Sequence, residues 1–187
     1  GFSYSENDED REGYTLDGSN SFVYYDDVYS SDPASDPPKD PPPKVRTVLE
    51  LDGVTYYSDW SADCVPVLLF GEGVVAAVHS GWRGTVADIV GAVVRRFHSE
   101  FGVAADAVTA ALGPSIAGPR YEVSRQVIDA LSEREVPAGL WRQGRCVDLR
   151  AFLEGRLLQL GLSASSISRI GGCTAESPDL ASYRRDG

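Results

Sequence analysis

The chain has no methionine, only two histidines (His79 and His98), three cysteines and no long apolar run. The missing methionine, absent even at position 1, suits a processed product or a fragment. Two histidines cannot furnish the several imidazole-rich sites of a copper oxidase, so copper is not the expected cofactor. Cys64, Cys146 and Cys173 are odd in number and widely spaced, which fits reduced thiols better than a disulfide framework. The longest apolar stretches, VPVLLF and VVAAV, fall far short of the roughly 20 residues that cross a bilayer, and no secretory signal pattern is visible. A soluble, cytoplasmic protein is the expectation. Nor is there a basic stripe: net charge is −11, a field that repels phosphate backbones and anionic lipid, so no nucleic-acid or membrane partner is expected.

What is present divides unevenly. Residues 1–44 carry eleven acidic and three basic residues and close in a proline cluster, the composition of a disordered or loosely attached segment. Its aromatic stretch FVYYDDVY is the part with strand propensity. Residues 45–187, nearly balanced in charge and rich in apolar residues, are long enough for one globular domain.

Within that domain, VRTVLEL and VTYY flank Asp52-Gly53, a strong hairpin signal, and VPVLLF and VVAAVH flank Gly71-Glu72-Gly73. The second pair is apolar at nearly every position, so both of its faces are expected to be covered. Thr85 with Asp88 reads as a capping box opening a helix that Gly102 ends. AVTAAL reads as a strand, Val123 to Leu131 as a second helix, Asp148 as the N-cap of a third that ends at Gly161, and SISRI as a last strand.

The second hairpin carries the chemistry. With Gly71-Glu72 as a two-residue type II′ turn, Cys64 stands opposite His79, their Cβ atoms roughly 4.5–5.5 Å apart. A three-residue turn would put them on opposite faces. Pro66, which lacks an amide hydrogen, suggests a bulge nearby. A thiol and an imidazole in contact make an activated nucleophile or two corners of a tetrahedral zinc site; a small buried thiol and a hydrogen-bonded strand-end histidine are the plainer reading. Arg83 has the fork to hold a phosphate or carboxylate, and Trp82 the ring to stack on a base. Cys173 follows two glycines that let a ligand approach the backbone, and Tyr183, Arg184 and Arg185 cluster near the end.

Taken together, SADCVPVLLF, VVAAVHSGWRGTVADIV, ALGPSIAGPRYEV, VDLRAFLEGRLLQLGL and CTAESPDLASYRRD resemble, in order, the laccase-domain (polyphenol oxidase or YfiH-type) family over residues 54–187. The resemblance implies an α+β fold, a layered α/β/β/α sandwich with mixed, largely antiparallel sheets, shared with cytotoxic necrotizing factor toxins. It implies phosphorolysis of purine nucleosides (adenosine, inosine, guanosine, methylthioadenosine), with adenosine deamination, and hence a purine nucleoside and phosphate as partners. It also implies a zinc site built from the Asp-Cys cysteine, the histidine before Gly-Trp-Arg-Gly and an earlier histidine. Cys64 and His79 match the first two, and no histidine precedes His79 to match the third. The expected site is therefore Cys64, His79 and Asp63 as catalytic residues, with Cys64 and His79 also as metal ligands and Asp63 as the proton donor to the departing base. Arg83, Cys173, Arg184 and Arg185 are expected to bind substrate. A Cys64–His79 hydrolase or deamidase, and a non-catalytic descendant, are the other classes this pattern allows.

Overall fold

A computed structural model describes residues 3–4, 12–15, 21–25, 47–51, 54–58 and 62–186. Strands β1 (Ser3–Tyr4), β2 (Glu12–Thr15), β3 (Ser21–Tyr25), β4 (Thr47–Leu51), β5 (Val54–Ser58), β6 (Val65–Gly71) and β7 (Val74–Ser80) come first. They are followed by α1 (Trp82–Val86), α2 (Ile89–Phe101), β8 (Thr109–Leu112), α3 (Arg125–Ser132) and α4 (Ala138–Trp141). The chain continues through β9 (Arg142–Gln143), β10 (Cys146–Val147), α5 (Leu149–Gln159), β11 (Ile167–Arg169) and α6 (Tyr183–Asp186).

Among the described residues the main sheet has seven strands in the order β1-β2-β3-β7-β6-β8-β11. It is mixed: β3 runs parallel to β7 and β11 to β8, while the other neighbours are antiparallel. The α+β class is thus observed. The first predicted hairpin is present, with Leu51 opposite Val54 in a separate two-stranded sheet. From the acidic segment, Ser21–Tyr25, half of the aromatic stretch, pairs with β7. The remainder of residues 1–44 lies largely outside the described residues.

The core explains the order of elements. Val65, Val67 and Leu69 of β6, Val74, Ala76 and Val78 of β7 and Ala110 and Leu112 of β8 share one face. Against it pack Val90, Val93, Val94 and Phe97 of α2, Ile128 and Leu131 of α3, and Phe152, Leu153 and Leu157 of α5. Alternation along each strand sends every second side chain to this face. The opposite face is covered over β6, where Pro66 and Leu68 are buried as expected, and less so along β7, where Val75, Ala77 and His79 are half-buried between buried neighbours. His79 is therefore on the face away from the helices.

Local signals acted as expected where they were self-contained. Asp148 caps α5 by accepting a bond from the Ala151 amide (2.9 Å), and Gly102 ends α2 in the left-handed region at φ 73°. The capping box at Thr85 is not formed. The helical segment begins three residues earlier, at Trp82, and the Thr85 hydroxyl donates back to the Gly81 carbonyl (2.8 Å). Asp88 instead occupies the break between α1 and α2 at φ 61°, and its carboxylate is taken by Arg156 of α5 through two bonds of 2.8 Å and by Arg95 at 3.1 Å. Two guanidinium groups outcompete a backbone amide for a carboxylate shielded from water.

Candidate functional site

The hairpin that carries Cys64 and His79 turns one residue later than the sequence suggests. Gly71 pairs with Val74, and the two-residue turn is Glu72-Gly73, at φ 49° and 80°, the type I′ pattern rather than II′. Gly71 is kept in the strand by a close approach: a Cβ there would lie 2.9 Å from the Ala107 carbonyl oxygen. The ladder runs without interruption from Val65–Ser80 to Gly71–Val74, so the bulge expected at Pro66 is not needed, and Pro66 is opposite His79. Extending the ladder by one residue sets Cys64 opposite Gly81. Moving the register by two leaves faces unchanged, so Cys64 and His79 still share a face, now as diagonal neighbours with roughly 7 Å between Cβ atoms.

Gly81 confirms the pairing. A Cβ on it would lie 2.9 Å from the Cys64 Sγ, although its own backbone (φ −79°, ψ −175°) suits any residue. Gly81→Ala is accordingly expected to fold with a thermal midpoint close to that of the parent. It should slow alkylation of Cys64 by about tenfold or more, because the methyl group drives the thiol from its rotamer. Iodoacetamide labelling read by mass spectrometry checks this; an unchanged rate would show that the thiol does not project beside Gly81.

Cys64 and Asp63 are half-buried, and Arg83 and Arg184 are exposed at the rim. Arg83 lies over the Trp82 ring, its Cζ 4.5 Å from the centroid, and Arg184 lies over Tyr121 at 5.2 Å. The Arg184 Nη1 also donates to the Glu122 carbonyl (3.0 Å). Tyr121, which the sequence reading did not single out, lies among these groups. Burial pushes its phenol up to about 12; the neighbouring Cys64 and Asp63 add to the rise, and the Arg184 and Arg83 charges oppose it. Its ring packs on the core, and its hydroxyl stays protonated at neutral pH. The only signal for it was its place in GPRYEV, since a tyrosine after a Gly-Pro loop is chemically unremarkable.

The other expected residues have separate tasks. Asp63 accepts three bonds on its carboxylate, from the Thr174 hydroxyl (2.6 Å), the Ser182 hydroxyl (2.8 Å) and the Arg184 amide (2.8 Å). Cys173 is buried, and its Sγ accepts the Ala117 amide (3.3 Å), so it braces the 113–117 loop rather than facing the rim. Arg185 spends all five guanidinium N–H donors inside the chain, on the carbonyls of Thr174, Ser177 and Leu180 and on Asp186. With no donor left for a substrate, it is a staple for the C-terminal loop, and this corrects the expectation that it binds substrate.

Among the described residues no group of three His, Cys, Asp or Glu side chains is placed to hold a metal. Cys64 and His79 supply two donors, and Asp63 is committed to its three hydrogen bonds. This donor set does not fit a closed tetrahedral zinc site.

No helix among the described residues is long and apolar enough to cross a membrane. A family model described as "Multi-copper polyphenol oxidoreductase laccase" matches residues 55–187. A purine nucleoside phosphorylase of Streptomyces coelicolor is 36% identical over 149 residues, 77% of this chain and 60% of that protein. Adenosine deaminase RL5, of an unknown prokaryotic organism, is 35% identical over 136 residues, 68% of this chain and 52% of that protein. The crystal structure of YlmD from Geobacillus stearothermophilus aligns with a TM-score of 0.63 at 32% identity, covering 67% of this chain and 50% of that one. The chain spans about half the length of most of these relatives.

Proposed function

Because the chain belongs to the multi-copper polyphenol oxidoreductase laccase family, we propose that it acts as a purine nucleoside phosphorylase on adenosine, inosine, guanosine and methylthioadenosine, with adenosine deamination as a secondary activity. The observation that carries the reading is the convergence of the Cys64 and His79 face with two rim guanidiniums, Arg83 and Arg184, beside the protonated phenol of Tyr121. Arg83 and Arg184 balance the charge of inorganic phosphate. A phosphate oxygen attacks the anomeric carbon, the glycosidic bond breaks, and its electron pair leaves with the purine, which takes up a proton. His79, the one imidazole on this face, suits that proton exchange, and with the Cys64 thiol it polarises the attacking phosphate. Asp63 does not suit it, because its two oxygens already serve three donors.

Release of hypoxanthine from inosine, followed with and without inorganic phosphate, tests the proposal. Release that requires phosphate supports it. Release at the same rate without phosphate would mean hydrolysis instead. The Cys64–His79 hydrolase is the second reading, favoured by a thiol and an imidazole on one face with no third metal donor among the described residues. A folded protein with neither activity would be the non-catalytic descendant.

The same donor set bears on zinc. Two protein ligands hold zinc far more weakly than three, so the purified chain is expected to carry well under one zinc per molecule. Elemental analysis with an intact-mass measurement checks this, and one tightly held zinc per chain would require a donor from outside residues 62–186.

A further inference from the structure

Asp63 joins three segments that are far apart in sequence. Its carboxylate takes the Thr174 and Ser182 hydroxyls and the Arg184 amide. Its carbonyl accepts the Ile116 amide (3.0 Å), and the carbonyl of Ala62 beside it accepts the Tyr183 amide (3.4 Å). Thr174 and Ser182 are both 2% exposed, so these hydroxyl bonds are shielded from competing water. The backbone of Asp63 is at φ 154°, a conformation that an L residue adopts only when its surroundings hold it. The next residue is Cys64.

We infer that Asp63 is a positioning residue: it fastens the C-terminal segment to the start of β6 so that the Arg184 guanidinium is held over Tyr121 at the mouth of the site, where it takes phosphate. The identity of that ligand rests on the phosphorolysis proposed above. Arg184 is gripped at both ends. Asp63 holds its backbone amide, and the Tyr121 ring with the Glu122 carbonyl holds its head, which leaves Nε and Nη2 to donate to an anion. Without the carboxylate, Ser182 and Thr174 lose their shared acceptor and the Arg184 amide loses its own. The guanidinium then samples a wider volume, and preorganisation toward the anion falls. Arg185 does not replace this hold, because it ties the 174–180 loop to itself.

The pattern of donors requires an acceptor facing the Arg184 amide. The Arg184 amide can only donate, whereas the two hydroxyls can turn to accept. Asparagine can therefore face its oxygen to Arg184 and its amide group to the hydroxyls, keeping much of the latch. Alanine keeps none.

The test is steady-state kinetics and phosphate binding on the 187-residue chain. Asp63→Ala should raise the phosphate KM about tenfold or more with a smaller change in kcat, and Asp63→Asn should recover most of that loss. A proton donor to the leaving purine would behave in the opposite way, with Asp63→Asn losing about 10²–10⁴-fold in kcat at an unchanged phosphate KM. In an Arg184→Ala background, Asp63→Ala should change the phosphate KM by less than about twofold, because the two act as one unit. Should Asp63→Ala fail to fold, Ser182→Ala removes one of the three donors and should raise the phosphate KM about threefold. A second readout needs no turnover: protection of Cys64 from iodoacetamide by inorganic phosphate, located by mass spectrometry. Protection that weakens in Asp63→Ala, in a protein that cleaves no nucleoside, would overturn phosphorolysis and support the latch. Unaltered phosphate affinity in Asp63→Ala, additive effects of the two substitutions, or no phosphate protection of the parent protein would each overturn it.

Discussion

Replacing Cys64 with alanine is expected to lower phosphate-dependent hypoxanthine release by about 10³-fold or more while moving the thermal midpoint by only a few degrees. The two effects separate because the thiol contributes little to packing. Cys64 is half-buried and precedes the strand, outside the apolar cluster formed by β6, β7 and the helices. Deleting one sulfur there costs on the order of 1 kcal/mol, equivalent to roughly 2–4 °C in a domain of this size. Its chemistry has no substitute on this face. Cys146 bonds weakly to the Pro119 carbonyl, and Cys173 is committed to the Ala117 amide. His79→Ala should give a loss of similar order. If the thiol and imidazole act as a unit, the double variant should be no worse than the poorer single one. A Cys64→Ala protein that keeps a tenth of the parental rate would remove the thiol from the chemistry.

The second large effect is on stability, at Asp88. Asp88→Asn is expected to cost about 2–4 kcal/mol in urea unfolding, because it leaves the Arg156 guanidinium facing a neutral amide where it now makes two 2.8 Å bonds. Asparagine tolerates the left-handed backbone at φ 61°, so the loss reports the charge pair rather than strain. The Asp88 side chain is only 7% exposed and Arg156 is 23% exposed, so screening by solvent is limited; Arg95, at 61%, adds little. Gly91 belongs to the same arrangement, since a Cβ there would overlap the Asp88 carboxylate. Burial works to raise the Asp88 pKa, but the hydrogen bonds and charges of Arg156 and Arg95 outweigh it and hold the carboxyl below its ordinary 3.8. A depressed pKa in the folded state means that the contribution is fully present above pH 3.8 and is lost as pH falls below it toward the folded value. The stability gap between parent and Asp88→Asn should therefore be constant near neutrality and shrink below pH 3.8. A gap that stayed constant through that range would show that the pair is not coupled to the proton.

How much of this was legible beforehand depends on the range of the interaction involved. Asp148 as a cap, Gly102 as a stop and the pairing of β4 with β5 each depend on neighbours close in sequence, and each could be read directly. Cys64 and His79 were legible as a pair because their motifs are distinctive. Their exact pairing was not: the turn is displaced to Glu72-Gly73, with Gly71 approaching Ala107 from a segment more than thirty residues away. Tyr121 carried no local mark at all, and its surroundings come from three separate stretches of chain.

From sequence alone followed the α+β class, the family, the strands β6, β7, β8 and β11, the helices α2, α3 and α5, and the candidacy of Cys64, His79, Arg83 and Arg184. All of these rest on local propensity or on contiguous motifs. Only tertiary structure decided that Asp88 ties α2 to α5, that Asp63 holds three donors, that Arg185 has none to spare and that Cys173 is a brace. The reason is physical: a charged or polar side chain bonds whichever partner the fold brings nearest once water is excluded, and those partners lie up to 121 positions away along the chain.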